Sequence, residues 1–78
     1  MREKHPYLVV TFHTTSAAMA AEQSCRRAGL AGKLISVPRC LTSDCGIAWR
    51  APEADRSAVE AQLREDGVEV ADLHILML

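Results

Sequence analysis

The chain opens its first ordered segment with the run YLVVTFHT, Tyr7 to Thr14, rich in β-branched and aromatic residues, in which Leu8, Val10 and Phe12 share one face at a period of two. This predicts a strand. The cluster Thr14-Thr15-Ser16 then offers side-chain oxygens to the first-turn amides of a helix running from about Ser16 to Ala28. Ala17, Ala21, Cys25 and Ala28 form its small-residue face, Glu22 and Arg26 pair outside at i, i+4, and Gly29 supplies the left-handed stop. Lys33 to Val37 reads as a second strand ended by Pro38, and Ile47 to Ala51 as a short third strand with Trp49 on one face and Pro52 closing it. A second helix opens at Pro52-Glu53 and closes at Gly67, with Val59 and Leu63 as its buried stripe and Glu60 and Arg64 paired outside. Val68 to Leu78 predicts a last strand with both faces partly covered.

The order β-α-β-β-α-β points to an α+β, ferredoxin-like domain, a four-stranded antiparallel sheet with both helices on one face. At 78 residues the whole chain, 1–78, is expected to form one domain, with a thin core and chemistry confined to its surface. Tyr7, Val9, Leu76 and Leu78 would lie on the uncovered sheet face, which suggests a homodimer through that face.

Composition narrows the function. Nine Lys+Arg against ten Asp+Glu give a net charge of -1, with no basic run beyond Arg26-Arg27, so the electrostatic footprint of a nucleic-acid binder is missing. The apolar stretches around Tyr7 to Val10 and Ile75 to Leu78 fall far short of the roughly 18 residues of a spanning helix. Arg2, Glu3 and Lys4 lead into Pro6 and a β-branched segment, where a secretory signal would have a leucine-rich core, so a cytoplasmic location and no membrane partner are expected.

The chemistry gathers in PRCLTSDCG, Pro38 to Gly46, a long polar connection between two strands that a tight turn could otherwise have joined. Cys45 beside Gly46 suits an accessible thiol approached closely by a partner; Arg39, Ser43 and the loop amides could stabilise a thiolate or persulfide there. Spacing alone leaves open that Cys45 is only a small turn residue. Cys40, five positions earlier, is either a resolving thiol or an incidental loop residue, since C-x4-C is not a sharp redox or zinc spacing. Cys25 belongs to the core. His5, His13 and His74 with the loop cysteines lack any C-x2-C or H-x3-H element, so they are read as strand-surface histidines and no metal site is assigned.

The strand ending in Phe12, Thr14 and Thr15, Glu22 on the first helix, and above all Pro38 and Arg39 followed by Ser43, Cys45 and Gly46 and the strand I-A-W-R resemble a small bacterial family of selenium/sulfur (Se/S) carrier-like proteins over nearly the whole chain. The resemblance implies that Cys45 carries a persulfide, or its selenium counterpart, from a cysteine desulfurase or selenium-delivery type protein to an acceptor enzyme, with no bound cofactor. This chain departs from the pattern at Cys40, where a polar or acidic residue usually follows Pro-Arg, at Thr42, which replaces the first of two serines, and at Cys25, where a larger aliphatic residue is normal. Two other functions compete with the carrier: a dimeric binding or regulatory module indifferent to Cys45, and a thiol-linked metal-binding protein.

Overall fold

A run of five residues buried to at least 99%, Leu8 to Phe12, requires a strand covered on both sides and both faces, and the topology supplies that position. A computed structural model of the chain describes residues 3–41 and 44–78. Its elements are β1 (Pro6–Thr11), α1 (Thr15–Arg27), β2 (Lys33–Ser36), β3 (Ile47–Pro52), a 3-10 turn (Glu53–Asp55), α2 (Arg56–Glu65) and β4 (Asp72–Met77). The sheet order is β2-β3-β1-β4 with every neighbouring pair antiparallel, and the fold is the ferredoxin-like α+β arrangement expected from the element order.

Leu8, Val10 and Phe12 of the β1 segment join Trp49 and Ala51 of β3 on one sheet face, packed against Ala18, Ala21 and Cys25 of α1 and Val59 and Leu63 of α2. Each fully buried Leu, Val or Phe among them contributes about 1.5–3 kcal/mol through area removed from water. Both helices close with the same paired backbone bonds. Gly29 and Leu30 donate to the carbonyls of Arg26 and Cys25, and Gly67 and Val68 to those of Arg64 and Leu63. The helices are also tied to each other, because the buried Ser24 hydroxyl donates to Asp66 Oδ2 at 2.5 Å and Gln62 and Arg27 converge on the same carboxylate.

Several details differ from the sequence pattern. Strand β1 ends at Thr11, since His13 and Thr14 leave the ladder to start the helix, with Thr14 as N-cap accepting from the Ala17 amide. On α1 the fully buried residues are Ala18, Ala21, Ser24 and Cys25; Ala17 is half-buried and Ala28, at the helix end, is exposed. Glu22 pairs with Arg26 as expected, at 3.2 Å. Glu60, however, is held by Arg56 at 2.9 Å, because Arg56 approaches it from the preceding turn while Arg64 lies along a groove with Leu63, Val68 and Val70. The 3-10 turn delays α2 to Arg56, and Val68 to Ala71 precedes β4 without joining it.

The sheet face away from the helices is less apolar than expected. Val9 is fully buried, and Tyr7 lies under the Arg50 guanidinium, 4.5 Å from the ring centroid. On that face Leu78 is exposed, as expected, and Leu76 is half-buried, while Ile75 and Met77 are also exposed and share the strand parity of core-facing Leu73 on edge strand β4. No helix among the described residues is long and apolar enough to cross a membrane.

Trp49 needs space that only glycine leaves. A Cβ on Gly32 would stand 2.5 Å from the indole Cζ2 and 2.7 Å from the Arg50 carbonyl, and Gly32 has φ of +154°. Gly32→Ala should therefore destabilise the protein by more than about 2 kcal/mol, the sum of overpacking and a disfavoured backbone angle. A urea midpoint unchanged from wild type would contradict this.

Candidate functional site

The antiparallel pairing of β1 with β3 runs Thr11 opposite Ala48, so the chain leaving β1 and the chain entering β3 meet at one end of the sheet. That end carries His13, the start of α1 and the loop bearing the cysteines. The loop begins in a β-turn, with the Leu41 amide donating to the Pro38 carbonyl at 3.0 Å and Arg39 and Cys40 exposed at its centre. It ends at Gly46, whose φ of +75° lies in the left-handed region that glycine adopts without strain. The Val37 amide donates to the Gly46 carbonyl at 3.0 Å and closes the neck.

Cys45 is half-buried, not open to water as the polar loop suggests, and it packs against the edge of the core. Its thiol donates to the Ile47 carbonyl at 3.2 Å. All three cysteines are free thiols: Cys40 exposed, Cys45 half-buried and Cys25 buried in the core. Burial pushes the Cys25 thiol up, and the nearby Asp66 carboxylate adds to the effect, so Cys25 stays protonated and inert. Arg39 has no ion pair among the described residues. Pro38 is half-buried at the start of the turn. Ser43, expected to donate to the sulfur, lies outside the described residues, as does Thr42.

His13, read from the sequence as a strand-surface histidine, lies past the end of β1 and belongs to this end of the sheet. His13 Nδ1 lies 2.9 Å from Asp44 Oδ2, and Asp44 immediately precedes Cys45. His13 also immediately precedes Thr14, the N-cap of α1. The pair therefore fastens the cysteine loop to the corner where α1 begins. The first turn of that helix holds no acidic residue, so its positive end is not neutralised from within. The other histidines are elsewhere, His5 before β1 and His74 in the middle of β4 opposite Val9. Among the described residues no group of three or more His, Cys, Asp or Glu is arranged to hold a metal ion. The only signals for the His13 link were a histidine beside a cap and an aspartate beside Cys-Gly, 31 positions apart, and nothing local connects them.

A cysteine in a Pro-Arg to Cys-Gly loop, presented at one end of a small ferredoxin-like sheet, is matched by a family model described as "Putative Se/S carrier protein-like", over residues 7–75. The chain belongs to this family. No curated protein and no solved structure matches it. The match to the Se/S carrier-like family includes all of the cysteine loop, from Pro38 to Gly46, and His13 as well.

Asp44 raises the pKa of His13 above the ordinary value of 6.5, first through the hydrogen bond and then through its charge, with Glu69 adding attraction; partial desolvation opposes them. Because the folded value exceeds the unfolded one, the link is fully present below about pH 6.5 and is lost as pH rises through the raised folded value. Histidine side-chain NMR should show His13 titrating above pH 6.5, and Asp44→Asn should return it toward that value. An unchanged His13 titration in Asp44→Asn would show that the pair does not hold in solution.

Proposed function

We propose that the protein carries sulfur or selenium as a persulfide or its selenium analogue on Cys45. What supports the reading most is the setting of Cys45 within a Se/S carrier-like chain: a half-buried thiol in a glycine-ended loop that is pinned, through Asp44 and His13, at the start of α1. A helix start favours negative charge, and both the thiolate and the persulfide are anions at neutral pH.

The chemistry needs no resident cofactor. The Cys45 thiol first leaves the Ile47 carbonyl, because a deprotonated sulfur has no hydrogen to donate and would face the carbonyl oxygen unfavourably. Its proton passes to water. The thiolate attacks the outer sulfur of a persulfide on a desulfurase-type donor; the Cys45 sulfur–sulfur bond forms, the donor's breaks, and the donor leaves as a thiolate. The acceptor's nucleophile then attacks the outer sulfur of Cys45 persulfide and expels the Cys45 thiolate, so the carrier is regenerated without net oxidation. Gly46, which has no side chain, lets the partner's sulfur come close, and Arg39 in the exposed turn presents a cation to the approaching anion. Cys40, exposed in that turn, serves as a resolving thiol where no acceptor is present: its attack on the inner sulfur of the persulfide gives a Cys40–Cys45 disulfide and releases hydrosulfide, and two equivalents of an external thiol then reduce the disulfide to restore the carrier.

Intact mass measured after incubation with a cysteine desulfurase and cysteine should show a reducible gain of roughly 32 Da in the wild type and in Cys40→Ser, and none in Cys45→Ser. An adduct retained in Cys45→Ser would refute the assignment of the carrying thiol. No adduct on any variant, with the donor shown to be active on another acceptor, would favour a binding module.

A further inference from the structure

Far from Cys45, at the other end of β3, the sheet carries an arrangement that its own packing does not explain. Lys33 on β2 and Arg50 on β3 are register partners, so two cations stand directly opposite each other on the face away from the helices. Like charges in this position are destabilising. Neither has an ion pair among the described residues. Between them and the start of β1 lies a recess of about 210 Å³ lined by Tyr7, Gly32, Lys33, Arg50 and Pro52, with Ala31 and Ala51 completing it.

The recess is built and not merely a gap between mobile side chains. Arg50 is half-buried with its guanidinium over the Tyr7 ring, 4.5 Å from its centroid, a cation–π contact that restrains the group and leaves N–H donors for a further partner. Gly32 is held against the Trp49 indole so tightly that a Cβ would collide with it. The indole Nε1 is buried without a hydrogen-bond partner among the described residues. One wall of the recess is therefore a rigid strand start over the only tryptophan in the chain.

We propose that this recess binds a small oxyanion, held between Lys33 and Arg50. The chemistry follows from the donors. A planar guanidinium fixed by stacking offers paired N–H groups, an ammonium opposite supplies a second charge, and one anion between them turns a mutual repulsion into two attractions. The recess, about 210 Å³, has room for a carboxylate, sulfate or phosphate group. No acidic side chain lines the recess, so the anion comes from outside it. The site stands at the opposite end of β3 from Cys45 and does not depend on the carrier reading.

The test is a titration of the full chain at pH 7 with sodium sulfate and, separately, sodium acetate, against sodium chloride at matched ionic strength. It is followed by Trp49 fluorescence and by amide NMR shifts of Gly32, Lys33 and Arg50. A saturable response to sulfate or acetate, at least tenfold weaker in Lys33→Gln and in Arg50→Gln, is expected; the stronger of the two salts identifies the tetrahedral or the carboxylate form. Lys33 is exposed and its loss relieves the repulsion, so Lys33→Gln should melt no lower than the wild type and keeps the test valid if Arg50→Gln loses its stacking and unfolds. A response that tracks ionic strength alone, or one that Lys33→Gln leaves unchanged, overturns the proposal.

Discussion

The register between β1 and β3 is the constraint on which the rest of the molecule depends. Thr11 opposite Ala48 fixes at one stroke which residues of both strands face the helices and which loops share an end of the sheet. A slip of one residue would turn Trp49 out of the core and Arg50 into it. It would also separate His13 from Asp44, because that pair exists only where the chain leaving β1 lies beside the chain entering β3. The cysteine loop is thus positioned by strands that contain none of its residues.

Much of this architecture was legible in the residues. The alternation of Leu8, Val10 and Phe12 and the caps at Thr14, Gly29 and Gly67 mark the elements well, because each reflects a local rule of strand period or helix termination. What local pattern did not reveal was depth. Val9 lies on the face away from the helices yet is fully buried, since its strand is central and it stands between Arg50 and His74. Ser24, a polar residue the helix pattern did not place in the core, is fully buried because its hydroxyl reaches Asp66, 42 positions away.

The site shows the same division. Sequence placed Cys40, Cys45, Pro38, Arg39 and Gly46 in one loop, and chain continuity guarantees that much. It gave no warning that Cys45 is half-buried with its thiol on the Ile47 carbonyl, nor that His13 belongs to this end of the sheet. Those facts are tertiary. The two ends of β3 also differ in character: one leads into the loop that His13 fastens through Asp44, the other holds a guanidinium over an aromatic ring and opposite an ammonium.

The bond between the Val37 amide and the Gly46 carbonyl has a wider consequence. It extends the β2–β3 ladder to the neck of the cysteine loop, so the sheet is complete whatever lies between. The entropy of closing a loop grows only slowly with its length, so changes within the span tax the sheet little, and what ties the loop to the scaffold beyond the neck is the Asp44 link to His13 and the packing of Cys45. The loop behaves as an exchangeable cassette. Its residues can change while the framework that presents them stays the same, and a graft of this segment onto another hairpin of like width would leave the His13 fastening behind.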